Sequence, residues 1–241
     1  MRIHVGIITL SLLLSSFAWA HHGKKYLVTG SHELSAPGIW HVLFSSEYKP
    51  QVHGRNYGIE PGILYGISRS WDIEFHTHYS TERGPLRIEA IAVESRIGLL
   101  GNYAENEETI GDIREQSHFG ITLLVELEKG FGYENQVEGR LIAGGEFEAT
   151  SYAVNLAWKK SFGETESDDI RYAMGLKRSL LHDIGIGVEV EGGFKGLRDI
   201  QWTPGIYVSP FEKLDLKIGA SFGVRGLTED QVLRTSLILR L

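Results

Sequence analysis

The chain has 241 residues, with 24 Lys and Arg against 31 Asp and Glu, a formal net charge of −7, and no cysteine. The acidic balance argues against a nucleic-acid partner, and without cysteine neither a disulfide framework nor a thiolate metal site can form. Beyond the first twenty residues no stretch approaches the roughly 20 apolar residues of a membrane helix, so a membrane-spanning form would have to be a closed barrel.

In chain order, Arg2 and His4 precede an apolar run from Val5 to Leu14, then Ser15-Ser16 and the small residues around Ala18-Trp19-Ala20. This order predicts a secretory signal peptide, residues 1–20, cleaved after Ala20. Residues 21–37 form a polar lead-in, either flexible or serving as a plug in a barrel mouth.

From residue 38 the hydrophobicity alternates with period two almost to the end. The clearest segment is Trp71 to Ser80: Trp71, Ile73, Phe75, Thr77 and Tyr79 fall on one face, and Asp72, Glu74, His76, His78 and Ser80 on the other. In a strand these are opposite sides of a sheet. Trp71 and Tyr79 stand about 26 Å apart at 3.3 Å per residue, close to the height of the apolar band between the aromatic girdles of an outer-membrane barrel. Similar segments give about twelve strands, near residues 38–49, 57–68, 71–80, 86–97, 118–129, 132–143, 147–160, 170–180, 183–194, 200–209, 212–223 and 231–241. Their length of about ten residues suits tilted membrane strands, and an even count puts both termini on the periplasmic side. The expected fold is all-β, a closed antiparallel up-and-down transmembrane β-barrel over residues 38–241, in the outer membrane of a Gram-negative bacterium.

Short periplasmic turns are expected at Ser68-Arg69-Ser70, Leu181-His182-Asp183 and Ser209 to Lys213, and outward loops around Lys49–Tyr57, Ser161–Asp169, Lys195–Asp199 and Arg225–Asp230. The long acidic stretch Gly98 to Ser117 falls on the periplasmic side if the count is right.

Tyr152-Ala153-Val154-Asn155-Leu156-Ala157-Trp158, Val188-Glu189-Val190-Glu191-Gly192, Thr203-Pro204-Gly205-Ile206-Tyr207-Val208-Ser209-Pro210 and Tyr65 to Glu74 carry a family likeness. Together with Leu214 to Val224 and the last strand they resemble the outer-membrane proteins grouped under a MetA pathway of phenol degradation. The resemblance implies a transport barrel for aromatic or other hydrophobic small molecules, inserted by the barrel-assembly machinery. Such barrels usually close with an aromatic residue, whereas this chain has Leu241.

With apolar faces toward lipid, the lumen is expected to receive Asp72, Glu74, His76, His78, Glu126, Glu128, Glu134, Glu138, Arg140, Arg171, Lys177, Glu189, Glu191, Lys217, Arg234 and Arg240. So many charges cannot stay unpaired in a dry core. They suit either a water-filled, solute-selecting pore or a narrow barrel filled by pairing acids and bases. The first reading is a channel or transporter for small solutes. The alternative is a non-conducting barrel for metal capture or adhesion, and a soluble lipocalin-like barrel is a third.

Glu74, His76 and His78 are metal-ligand types, but alternate residues on a strand lie about 6.6 Å apart, so a shared ion needs another strand. With no tight ligand motif the histidines are read as polar lumen residues, with no metal and no cofactor. His78 and Ser80 supply a Ser–His pair in type only, since residues two apart on a strand do not readily reach hydrogen-bond distance. No enzyme is expected.

Overall fold

The computed structural model describes residues 26–51, 54–82, 84–101, 118–131, 134–163, 167–194, 200–224 and 231–241. The signal-peptide reading of residues 1–20 lies outside them, as do His21, His22 and most of the acidic stretch before Ser117.

Twelve strands run in chain order: β1 (Trp40–Gln51), β2 (Gly54–Ser68), β3 (Trp71–Ser80), β4 (Arg87–Leu100), β5 (His118–Gly130), β6 (Asn135–Phe147), β7 (Thr150–Phe162), β8 (Ser167–Leu181), β9 (Ile184–Gly193), β10 (Gln201–Phe211), β11 (Leu214–Gly223) and β12 (Val232–Arg240). Each pairs antiparallel with its chain neighbours, and β1 pairs with β12 from His41 opposite Arg240 to Tyr48 opposite Leu233, which closes the barrel.

The side-chain arrangement is that of a membrane barrel. On β3 and β5 the acids Asp72, Glu74 and Glu126 are 0–2% exposed, whereas Phe75, Val125 and Leu127 on the outer face are 39–57% exposed. In water this would be an inverted protein; against hydrocarbon it is the favourable arrangement. Outward aromatic pairs mark both rims: Trp40 with Tyr65 at one end, and Tyr48 with Tyr57, Tyr172 with Phe194, and Trp202 with Phe222 at the other. The fold is that of an outer-membrane β-barrel, and the chain resides there.

Very short connections follow β2, β6, β8 and β10 at Arg69-Ser70, Glu148-Ala149, His182-Asp183 and Glu212-Lys213. Both ends of the barrel chain lie at this same end, so it is the periplasmic one; it is called the turn end below, and its opposite the loop end.

Several boundaries differ from the alternation pattern. The stretch around Lys49–Tyr57 is mostly strand, because β1 continues to Gln51 and β2 starts at Gly54. The expected turn Ser209 to Lys213 shrinks to two residues, with Pro210 inside β10. Strands β6 and β7 run two to four residues later than the sequence suggests at all four of their ends; Gly144 and Gly145 read as a turn, whereas the turn sits at Glu148, which takes a positive φ of 52°. Gly98 to Leu100 belongs to β4.

Candidate functional site: a lumen in two halves

The chain before β1 does not leave the barrel. Residues 26–36 turn back into the lumen from the turn end, and Tyr26, Leu27, Val28, Thr29, Ser31, Leu34 and Ser35 are all at most 5% exposed. This lumen segment has no ladder partner of its own, so wall side chains must satisfy its backbone groups. Glu189 on β9 takes three consecutive amides: the Leu27 N–H donates to Oε1 at 2.6 Å, and those of Val28 and Thr29 donate to Oε2 at 2.7 and 2.6 Å. The Tyr207 hydroxyl adds a fourth bond to Oε1 at 2.8 Å. Asn155 on β7 accepts from the Gly30 N–H at 2.6 Å and donates back to its carbonyl at 3.1 Å. The Thr122 hydroxyl donates to the His32 carbonyl at 2.6 Å, Lys217 Nζ to that of Tyr26 at 2.9 Å, and the Ser35 N–H donates to Asp72 at 2.7 Å. Asp72 is itself held by two Arg96 bonds of 2.9 Å.

Packing is as specific. A Cβ placed on Gly66 would come within 1.9 Å of the Ala36 carbonyl oxygen; on Gly175, within 2.8 Å of the Tyr26 ring; on Gly219, within 2.5 Å of a Leu27 methyl; on Gly144, within 2.8 Å of the His32 ring. These wall glycines leave the space the segment fills. The Tyr26 phenol is pushed above its ordinary pKa by burial and by the Glu189 carboxylate beside it. Below the segment a cavity of about 230 Å³, lined among others by Glu33, His41, Lys177, Asp215, Lys217 and Arg240, opens at the turn end.

The other half of the lumen has no such filler among the described residues. Moving up β3 from Asp72, the inward side chains are Glu74, His76 and His78. Register aligns four acids side by side, Glu74 opposite Glu94, Glu94 opposite Glu126, and Glu126 opposite Glu138, with Lys159 next beyond Glu138. One pleat toward the turn end, Arg96 reaches Asp72 at 2.9 Å and Glu94 at 3.5 Å, and Arg140 reaches Glu138 at 2.5 Å. His76 lies with Nδ1 3.2 Å from Glu74 and Nε2 3.8 Å from Glu126; His78 lies with Nδ1 3.1 Å from Glu60 on β2 and Nε2 3.3 Å from Glu128. Across the lumen, Arg234 joins Glu47 at 2.5 Å and Glu191 at 2.9 Å.

Of the residues singled out from sequence, Asp72, Glu189 and Lys217 meet the lumen segment, while Glu74, His76, His78, Glu126, Glu128 and Glu138 gather beside Arg140 in the acidic half. Glu191 and Arg234 pair with each other. Lys177 stands over the Tyr207 ring at 5.3 Å. Arg171 is exposed near the loop end. Arg240 lines the turn-end cavity, and Glu134 lies against Gly163 outside the cluster. The Ser80 hydroxyl accepts the Glu82 N–H at 2.9 Å, while the two His78 ring nitrogens face Glu60 and Glu128. Glu47, Glu60, Glu94, Arg96 and Asn155 were not among the sequence candidates. Inward parity flags Glu47, Glu94 and Arg96, whereas Glu60 is masked by the adjacent Pro61, which has no N–H for a ladder.

On the lipid-facing side, an apolar concavity of about 880 Å³ is lined by Val42, Phe44, Pro61, Ile63, Phe75 and Ile91, among others.

No family model and no curated protein sequence matches the chain. Solved structures do. The COG4313 outer membrane channel from Pseudomonas putida F1 superposes with a TM-score of 0.61 at 9% identity, covering 88% of this chain and 98% of that one. The NanC porin gives 0.58 at 8% identity, covering 83% and 100%. Outer membrane phospholipase A from Escherichia coli gives 0.50 at 8% identity, covering 83% and 89%. At such identities the likeness is one of fold, and this fold serves both channels and an enzyme.

Proposed function

We propose that the protein is an outer-membrane channel for small solutes whose conduit is stopped by its own residues 26–36. The observation that carries this reading is the way the segment is held. It is fixed by side chains of six wall strands, with no continuous backbone ladder, so it can leave without unpairing the barrel. A charged lumen wall is what a water-filled, solute-selecting path needs once the segment moves. The channel and porin among the similar structures support the same reading, as does the resemblance to the phenol-degradation family. That resemblance favours aromatic or other hydrophobic solutes; the proposed lumen residues are those named above, from Asp72 to Arg234. The proposed partners are lipid, the solute and the barrel-assembly machinery, and no catalytic role is proposed.

Planar-bilayer recording on the full chain and on a form lacking residues 26–36 tests this. The intact barrel is expected to conduct weakly and the shortened one in larger, stable steps. A shortened barrel that still shows the heat-modifiable mobility of a folded barrel but conducts no better would overturn the proposal. The second reading, a non-conducting binding barrel, draws on the same filled lumen and would then stand.

A further inference from the structure

The acidic half of the lumen has a chemistry that solute passage does not require. We infer that Glu60, His76 and His78 form a binding site for a divalent transition-metal ion of the zinc type. One ligand atom from each of the three lies within 4.8 Å of the other two, and Glu60 and His76 are buried. A zinc ion held at about 2.1 Å by tetrahedral ligands has ligand–ligand edges of about 3.4 Å, so small side-chain rotations complete the set, and the Glu60–His78 edge of 3.1 Å is already there. Two imidazoles and one carboxylate leave a fourth position for water, and this mixed nitrogen–oxygen set suits zinc, cobalt or nickel over calcium or magnesium.

The surroundings point the same way. Each imidazole has carboxylate oxygens near both ring nitrogens. A neutral ring donates only one N–H, so its other lone pair would face an anion. Either a second proton or a metal ion on that nitrogen removes the conflict, and a metal ion leaves the second carboxylate to orient the ring, the usual carboxylate–histidine–metal arrangement. Glu74 at 3.2 Å from His76 and Glu128 at 3.3 Å from His78 stand in those orienting places. The two rings stand perpendicular with 5.0 Å between centroids, close enough for one ion to reach both.

The test uses the full chain, purified in detergent and stripped with chelator. Zinc titration by calorimetry is expected to show one tight equivalent, and cobalt(II) to give the intense visible bands of a four-coordinate site. Joint His76→Gln and His78→Gln substitution should abolish both signals, Glu60→Gln should remove the four-coordinate spectrum, and Glu128→Gln should weaken affinity about tenfold as an orienting residue does. Replacing His21 and His22 with alanine should leave binding intact. Folding of each variant is checked by heat-modifiable mobility, and cobalt bands in a folded wild type report the site without any variant. No stoichiometric binding to folded wild type, or binding lost with His21 and His22 in place of His76 and His78, would overturn the assignment.

Discussion

The two halves of the lumen start from the same wall and end differently. In the turn-end half, buried acids face backbone amides: Glu189 has three N–H groups and a hydroxyl around it, and Asp72 has an amide and a guanidinium. In the loop-end half, acids face one another and two imidazoles across adjacent strands. A buried carboxylate needs donors, and a folded-back chain segment supplies them in one half without adding charge. The other half relies on cations, protons or a bound ion. The difference teaches that a charged lumen is not one environment: the same alternation builds a docking cradle at one height and an ion-coordinating shell about 13 Å further along β3, four residues on from Asp72.

The strongest way to break the contrast is Glu189→Gln. An amide oxygen cannot replace two carboxylate oxygens toward three N–H donors, and charge-assisted bonds are worth about 1.5–3 kcal/mol each. The variant should conduct close to the level of the form lacking residues 26–36, and protease should cleave the segment in detergent-solubilised barrels. Next is Gly66→Ala. Its Cβ would collide with a backbone oxygen that has no rotamer to escape into, so the base of the segment must shift and channel openings should become frequent, though briefer than with Glu189→Gln. The acidic half should respond in the opposite sense to loss of charge. Glu126 stands between Glu94 and Glu138, and Glu126→Gln removes two like-charge neighbours worth up to about 1 kcal/mol each; the metal-free barrel should unfold at a higher temperature by calorimetry.

The smallest effect concerns Tyr26. Its hydroxyl is buried with no hydrogen-bond partner among the described residues, so Tyr26→Phe should hold the segment as well or slightly better. The folded pKa is raised, so the neutral phenol is the form the docked state accepts; docking is fully stable below the ordinary phenol pKa of about 10 and weakens as the pH rises above it. Wild-type conductance should therefore climb above that pH, with a smaller rise in Tyr26→Phe. Equal rises in both would assign the effect to other groups.

Most of the barrel is legible in the sequence because every strand must present one face to lipid and one to the lumen, and that demand writes a period of two. Trp71 to Ser80 shows it in full, and the strand expected there has the same ends in the structure. Where the demand relaxes, legibility is lost. Gly144 and Gly145 look like a turn, yet the missing side chain of Gly144 makes room for His32, a contact 112 residues away in sequence terms that no local pattern records. The acids of the wall are readable for the same reason as the strands, but their partners are not. Nothing in residues 26–36 announces which carboxylate their amides will meet. Glu60 joins His76 and His78 only through the pairing of β2 with β3, and a proline beside it hides its parity.

The seam between β1 and β12 has a consequence for assembly. The cylinder cannot be sealed until the final strand has emerged, because its first edge waits for its last. The segment ahead of β1 makes contacts 160 to 191 positions away, on β9 and β11, which carry a large loop-closure entropy and so form late. It is continuous with the waiting edge and anchored on strands close to the arriving one, so it bridges the two sides of the seam. A chain lacking residues 26–36 is therefore expected to insert more slowly even where the finished barrel is sound.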